Sequence, residues 1–359
     1  MSIAIEKLPA WSIAGPLAAL ALAGSLFAGV LHPAGWVLAL VVPVIGIAVF
    51  SAVHHAELLA IKLGEPFGSI LLALAVTGLE VALILVLLLG GAGHDTVARD
   101  TVFSAVMLVM NGIIGLSLVV GGRRYGEQGF QLQGAVSALA VLGTLASITL
   151  VLPNYTLSAS GGRYSPLQLG FVAVVALLLY GVFVFVQAVR HRDYWLDPLD
   201  QPPDERPTAA ITAAAAVLML ASLLGVVLLA EELAHPLDEA LLAADLPLAL
   251  EGIIISAVVL MPEGTSAVRA ALRNRLQTAM NLSLGSAVAS IGLTIPVVAL
   301  ASLVLDVPVE LGLAPGPTVL LVLTLFMAVL TLGTGRTTVL QGWVHLVICA
   351  VFLMVTAIP

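Results

Sequence analysis

Two glutamates lie in the middle of long apolar segments, where a carboxylate is costly. Glu80 is the one charged residue in LALAVTGLEVALILVLLLGG (residues 72–91), and Glu263 lies in a second apolar run. An ionised acidic side chain at the centre of a bilayer costs about 2.5–3.5 kcal/mol on insertion scales. No Lys or Arg lies in the core of any predicted span, and His345 is the one deep basic candidate for pairing. We therefore interpret both glutamates as parts of a cation or proton site.

Residues with neutral oxygen atoms accompany both glutamates. Thr77 shares a helix face with Glu80, and Thr265 and Ser266 lie two and three residues after Glu263. Carboxylates combined with such oxygens favour Ca²⁺, Na⁺ or similar ions over soft metals. The alternative is that each small polar residue serves only to pack helices together. The predicted cation- and proton-binding set is Glu80, Glu263, Thr77, Asn111, Asn281, Ser286, Thr265 and Ser266, with Glu80 and Glu263 as the metal ligands.

The backbone around Glu263 carries a second signal. Pro262 precedes this glutamate and Gly264 follows it. Because proline cannot donate a backbone hydrogen bond and glycine is conformationally permissive, we expect a loosened helix with freed carbonyl oxygens. Such oxygens would add hard-cation ligands.

The elements that hold these residues are predicted from composition. The chain has 359 residues, of which 60% are hydrophobic and only 9% charged, against about 25% charged in soluble domains. Such a chain is solvated by lipid, so the fold class is an all-α polytopic membrane protein. The single cysteine, Cys349, excludes an intrachain disulfide and a multi-cysteine metal site. Lys7 before a long apolar run indicates a first anchor helix rather than a cleaved signal peptide.

Eleven segments are long and apolar enough to span a bilayer, which requires about 20 residues each. The distribution of basic residues indicates their orientation. With the N-terminus inside, the outside loops hold only Arg99 and Arg163 of the 13 Lys and Arg residues. The prediction is therefore an inner-membrane protein with its N-terminus in the cytoplasm and its C-terminus outside. The predicted spans are 10–31, 35–55, 66–91, 101–121, 131–152, 166–190, 208–232, 247–268, 278–303, 316–334 and 338–358.

Two similar segments indicate an inverted repeat. Each has a glutamate in one span and a Met-Asn pair in the next, at 110–111 and 280–281. Five spans separate the glutamates, so the second copy crosses the membrane in the opposite direction, as in many secondary transporters. The predicted domains are an extra helix (1–33), a first five-helix repeat (34–190), a cytoplasmic linker (191–207) and a second five-helix repeat (208–359).

Further polar residues are candidates for a gate or a proton path. His54 and Glu57 share a face at the inner end of the second span, where a histidine can titrate near physiological pH. Glu251 continues inward from an acidic stretch (230–247) that is predicted outside and would concentrate cations. Ser290 completes this set. The alternatives are an interfacial cluster for the histidines and an ordinary polar loop for the acidic stretch.

The two glutamate segments resemble a known family. HHAELLAIKLGEPFGSILLALAVTGLE and LMPEGTSAVRAALRNRLQTAMNLSLGSAVASIGLTIP are similar to the two repeats of the cation/Ca²⁺ exchanger superfamily, with most similarity to its calcium/proton branch and to bacterial antiporters that also exchange Na⁺ and K⁺ for protons. The resemblance implies competition of cation and proton at Glu80 and Glu263. Many calcium/proton exchangers have GNxxE, with a histidine after the second glutamate. This chain has neither feature, so Na⁺ and K⁺ stay open beside Ca²⁺.

The resemblance predicts a secondary antiporter that exports a cation by alternating access. It implies no cofactor; the partners are inorganic cations, protons and the lipid bilayer, with no nucleic acid, and an oligomer stays open. A passive cation channel is the alternative function. An intramembrane enzyme is a weaker alternative, because the chain has no HExxH motif and no serine elbow to match His345.

Overall fold

The protein is all-helical apart from one small two-stranded sheet. The computed structural model describes residues 7–32, 36–64, 67–89, 95–197 and 207–358. The helices are α1 (Ala10–Phe27), α2 (Trp36–Leu63), α3 (Phe67–Leu89), α4 (Val97–Met107), α5 (Ile114–Tyr125), α6 (Leu132–Ala146), α7 (Pro166–Phe185), α8 (Ala209–Ala243), α9 (Ala249–Leu272), α10 (Leu276–Ala289), α11 (Ile295–Leu305), α12 (Pro315–Leu332) and α13 (Val339–Ala357); the strands are β1 (Glu127–Gly129) and β2 (Arg336–Thr338). Wider π-helical turns occupy Leu108–Ile113, Ser147–Val151, Val186–Arg190 and Ser290–Thr294, and 3₁₀ turns occupy Leu152–Tyr155 and Arg192–Tyr194.

The predicted all-α polytopic fold is confirmed. Within the described residues, ten helical segments are long and apolar enough to cross a membrane, and α3 contributes a further apolar helix at Leu74–Leu89. In two of these spans a π-helical turn joins two α-helices: α4 continues into α5 (Val97–Tyr125), and α10 continues into α11 (Leu276–Leu305). These ten segments and α3 correspond, one to one and in order, to the eleven predicted spans.

The acidic stretch at 230–247 is mostly helical, whereas an ordinary polar loop was one of the readings of the sequence. Helix α8 has 35 residues and ends only at Ala243, so most of that stretch is helical. At 1.5 Å per residue, α8 is about 52 Å long, more than the hydrocarbon core of a bilayer needs. Its acidic end therefore extends beyond the apolar span at Ala209–Ala234.

The contacts between helices divide the protein into two compact units. The first unit contains α1, α2, α3 and α8, and the second contains the remaining helices and the sheet. The units therefore cut across the predicted repeat boundaries at residues 34, 190 and 208. Those boundaries remain a prediction about sequence duplication, and residues 198–206 of the predicted linker lie outside the described residues.

Loops predicted on the inner side of the membrane meet each other in the second unit. Gln128 of β1 donates to the Ala271 carbonyl (3.1 Å), near the end of α9. Arg275, just before α10, pairs with Asp197 after α7 (3.2 Å). Strand β1 pairs with β2, between α12 and α13. Within this unit, the predicted alternation of spans agrees with the contacts between their ends.

Loops predicted outside meet in the same way. Arg99, in the first turn of α4, donates to Glu310 (2.5 Å) and to the Gly312 carbonyl (2.8 Å). Arg163, before α7, pairs with Asp95. Helices α4 and α10 therefore begin in opposite loop clusters of this unit and run in opposite directions.

The first unit packs through small residues. Gly15 of α1 touches Ser51 of α2, where an added Cβ would lie 2.5 Å from the Ser51 hydroxyl oxygen. Gly225 of α8 approaches Ala19 of α1 in the same manner. Small residues permit such close helix approach in a membrane. Between α2 and α8, the buried apolar residues are Ala56, Leu58, Leu59, Ala215 and Met219.

The second unit has a comparable contact between α5 and α13. A Cβ at Gly342 would lie 2.7 Å from the Val119 backbone nitrogen and 2.8 Å from the Gly115 carbonyl oxygen. Both neighbours are backbone atoms, so they cannot move aside without shifting a helix. This position therefore requires glycine.

Gly342→Ala is expected to destabilise the fold by about 1–3 kcal/mol, the usual range for overpacking. The measurement is thermal unfolding of the purified protein in detergent. Gly143→Ala in α6 is the matched control, because no atom lies within 4 Å of its added Cβ. Equal unfolding temperatures for the two variants would contradict the packing of α5 against α13.

Candidate cation and proton site

Glu263 contacts one of the hydroxyl groups predicted from the sequence. The Ser286 Oγ of α10 donates a hydrogen bond of 2.5 Å to the Glu263 Oε2 of α9. Gly264, the next residue, packs against Ile113, and an added Cβ there would lie 3.1 Å from the isoleucine side chain. Ile113 belongs to the π-helical turn after α4. Glu263 therefore lies where α9 meets α10, with that turn against the adjoining residue.

The expected loosening at Pro262 is not found. Helix α9 is continuous from Ala249 to Leu272 with Pro262 inside it. Thr265 donates its hydroxyl hydrogen to the Pro262 carbonyl at 2.8 Å, which occupies one of the groups predicted to bind cations. Proline still removes the amide donor that the Val258 carbonyl would have in an unbroken helix. The backbone stays helical because one missing hydrogen bond does not unwind a packed helix.

Glu80 is buried in the first unit. Its exposed fraction is 5%, and Thr77, one turn earlier on α3, is buried as well. Within this unit α3 packs against α2 and α8. The predicted pair of Thr77 and Glu80 therefore shares a buried face. Glu80 and Glu263 belong to different compact units, and their approach to each other remains a prediction.

Asn111 is placed in a polar cluster that the sequence did not predict. It lies fully buried in the π-helical turn Leu108–Ile113. Its Nδ2 donates to Thr324 Oγ1 of α12 (2.9 Å), and its Oδ1 lies 3.0 Å from His345 Nδ1 of α13. Thr331 Oγ1 lies 3.1 Å from His345 Nε2. The sequence shows polar residues in three apolar spans but no spacing rule that joins them.

The predicted equivalence of Asn111 and Asn281 is wrong in register. Asn281 lies five residues after the start of α10 at Leu276, and its amide donates to the Trp195 carbonyl in the inner loop cluster. Asn111 lies 14 residues after the start of α4 at Val97, and Ser290 lies 14 residues after Leu276. Ser290 also begins a π-helical turn, and it is buried. Ser290 is therefore the positional counterpart of Asn111, and Asn281 belongs to the helix end.

The remaining predicted binding residue, Ser266, is half-buried on α9, three residues after Glu263. The structure thus joins Glu263 with Ser286 and places Thr265 and Ser266 on the same helix. It puts Thr77 with Glu80 in the other unit.

The histidines at the predicted gate of His54 and Glu57 contact a second helix of the first unit. His55 is the deeper of the two histidines, and its Nε2 lies 2.8 Å from the Ser12 carbonyl of α1. The His54 ring lies 5.2 Å from the Trp11 ring. Glu57 is exposed. The histidines therefore join α2 to α1, a role not considered for them in the sequence.

Glu251, predicted to continue a path inward from the acidic stretch, is buried. It lies in the first turn of α9 with 2% exposure. The next residue, Gly252, packs on the Asp100 backbone, and Ser256 donates to the Thr101 carbonyl at 2.8 Å. These contacts fix the start of α9 against α4, so Glu251 is held between packed helices.

A metal ion bound to the described part of this protein would need ligands other than His, Cys, Asp and Glu side chains. Among the described residues, no group of three or more His, Cys, Asp and Glu side chains is placed to hold a metal ion. A cation bound at Glu80 or Glu263 would need hydroxyl, amide or carbonyl oxygens as further ligands. That donor set suits hard cations.

The chain is similar to several known proteins. The model of the family described as sodium/calcium exchanger protein matches residues 33–189 and 214–357. The protein y4hA of Sinorhizobium fredii, named for ionic transport, is 52% identical over 100% of this chain and 99% of its own. The sodium-potassium/proton antiporter ChaA of Escherichia coli is 35% identical over 85% of this chain and 84% of its own. The solved structure of YfkE, a Ca²⁺/H⁺ antiporter, covers 97% of this chain and 100% of its own with a TM-score of 0.77 at 17% identity.

Ser286→Ala is expected to weaken cation binding by about 10-fold or more, since a hydrogen bond to a charged group is worth about 1.5–3 kcal/mol. Calorimetric titration of the purified protein with Ca²⁺ and with Na⁺ measures the change. Ser283→Ala is the control on the same helix, because the buried Ser283 hydroxyl has no hydrogen-bond partner among the described residues. Equal affinities in the two variants would separate Ser286 from the site.

Proposed function

The chain belongs to the sodium/calcium exchanger family, and from that premise we propose that it exports a cytoplasmic cation in exchange for protons. It is a multi-pass membrane protein of an antiporter family that handles inorganic cations. The finer proposal is that cation and proton compete for Glu80 and Glu263 during alternating access. The inner membrane is the proposed location, with the N-terminus in the cytoplasm.

The contact between Glu263 and Ser286 carries this proposal. A carboxylate within a span, bonded at 2.5 Å to a neutral hydroxyl, has a ligand geometry that a cation or a proton can use. The chain has no Lys or Arg in the core of a predicted span.

The inverted repeat is supported by two separate observations. The family model matches the chain twice, once in each half. Within the second unit, α4 and α10 run in opposite directions and carry Asn111 and Ser290 at the same depth from their starts. On this plan, Glu80 and Glu263 are repeat counterparts that contribute to one transport site.

Electrostatics then explains why exchange is obligatory. Desolvation and mutual repulsion both favour the protonated form of paired carboxylates. Two bound protons neutralise the pair, and so do one divalent cation or two monovalent cations. The empty site carries two uncompensated negative charges, which are costly to enclose in a low dielectric. A site that holds either protons or cations can undergo the change between inward and outward access, whereas the empty site resists it.

The proposed cargo is a hard cation, Ca²⁺ or Na⁺ and K⁺. ChaA of Escherichia coli is a sodium-potassium/proton antiporter, and YfkE is a Ca²⁺/H⁺ antiporter. The absence of GNxxE from AVTGLE and VLMPEG keeps the monovalent cations in the proposal. No cofactor is proposed.

Glu80→Gln and Glu263→Gln are each expected to abolish proton-coupled exchange, because an amide can neither titrate nor carry the negative charge. The assay is fluorescence dequenching in inside-out vesicles on addition of Ca²⁺, Na⁺ or K⁺ across a range of pH. Glu127→Gln is the matched control, since Glu127 is exposed and its ion pair with Arg336 at 3.5 Å adds little.

Normal discharge of the pH gradient by the Glu80→Gln or the Glu263→Gln variant would refute the assignment. The same assay separates an antiporter from the alternative passive channel. Antiport gives saturable flux that requires a proton gradient or creates one, whereas a channel conducts the cation without proton movement.

A further inference from the structure

A buried histidine in the last helix has no role in the proposed exchange cycle. His345 is fully buried in α13, and α5 approaches it closely at Gly115, where an added Cβ would lie 3.0 Å from the His345 Cβ. Both ring nitrogens have polar neighbours, Asn111 and Thr331. A polar side chain placed this deep requires hydrogen bonds to offset the loss of water.

The hydrogen bonds of this cluster have a consistent direction. Asn111 Nδ2 donates to Thr324 Oγ1 at 2.9 Å, so its Oδ1 is the acceptor that faces His345 Nδ1 at 3.0 Å. The neutral ring with hydrogen on Nδ1 then accepts at Nε2 from the Thr331 hydroxyl at 3.1 Å. Met107 Sδ accepts from Asn111 Nδ2 at 3.8 Å and from the Thr324 hydroxyl at 3.4 Å. Every donor among these four side chains therefore has an acceptor, which fixes one orientation of the Asn111 amide.

We propose that His345 is a positioning residue that fixes the direction of the Asn111 amide beside the exchange site. The inference rests on the proposed function. Asn111 lies in the π-helical turn that ends at Ile113, and Ile113 packs on Gly264, next to Glu263. His345 thereby connects α13 to the turn that packs beside the Glu263 segment.

Asn111 and Ser290 lie equally far from the starts of α4 and α10, but their side chains differ. This difference explains why Asn111 needs a positioning residue. Ser290 has a small hydroxyl that can rotate to suit its neighbours. Asn111 has a two-ended amide whose oxygen and nitrogen would exchange places on a half turn. Bonds to Thr324 and His345, from two different helices, hold the oxygen toward α13 and the nitrogen toward α12.

The test uses three variants that remove different nitrogens. His345→Asn keeps a donor near the Nδ1 position, His345→Gln keeps a polar group near Nε2, and His345→Leu removes both. The cation concentration at half-maximal exchange is measured in inside-out vesicles, together with the maximal rate, the pH profile and the thermal stability in detergent. Cys349→Ala is the control for lost packing on α13, since Cys349 is buried and lies against Gly112.

The expected order is specific to positioning. His345→Asn keeps the half-maximal concentration within about threefold of wild type, whereas His345→Gln and His345→Leu raise it by about 10-fold, the effect of one good hydrogen bond. Cys349→Ala lowers thermal stability and leaves the half-maximal concentration unchanged. Asn111→Ala combined with His345→Gln is no worse than Asn111→Ala alone, because both changes remove one interaction.

Two results would overturn this inference alone while wild-type exchange persists. One is a half-maximal concentration that is the same in all three His345 variants. The other is loss of the pH dependence in every His345 variant, which would make the ring a proton carrier. Absence of saturable exchange by the wild-type protein would instead overturn the proposed function, and this inference with it.

Discussion

A carboxylate inside a lipid bilayer is tolerated only where something compensates its charge, and this constraint governs the second unit of the protein. Glu263 is on a helix that stays regular through a proline, and a hydroxyl of the next helix bonds to its oxygen at 2.5 Å. A hydroxyl stabilises the charge only in part. We propose that a mobile ion or a proton adds to this compensation, and a site that takes one or the other is a site for exchange.

The rest of the unit packs closely around that helix. Glycine at 342 brings α13 against α5, and Gly252 brings the start of α9 against α4. The buried cluster of Asn111, Thr324, Thr331 and His345 pairs its polar side chains with one another. Close packing and closed hydrogen-bond networks exclude water, which increases the energetic difference between a loaded and an empty site.

The sequence predicts whatever depends on hydropathy and charge. The order of the spans follows from apolar length, and their alternation from the placement of 13 basic residues. Glu263 and Ser286 both belong to the second segment that resembles the exchanger family, so the sequence can place them in one site. The repeated Met-Asn pair favours Asn281 as the equivalent of Asn111, whereas the depth in the helix favours Ser290. Asn111 follows Glu80 by 31 residues (111 − 80) and Ser290 follows Glu263 by 27 (290 − 263), whereas Asn281 follows Glu263 by only 18 (281 − 263). The partners of His345 come from three helices that are distant in sequence, and no local pattern encodes such a contact.

We propose that cation and proton exclude each other at Glu80 and Glu263. This competition is tested by proton release from purified protein in weakly buffered detergent solution when Ca²⁺ or Na⁺ is added below neutral pH. We predict that cation binding releases protons, that Glu80→Gln or Glu263→Gln lowers the number released, and that the double variant releases none. Cation binding of wild-type affinity with no proton release would contradict competition between cation and proton.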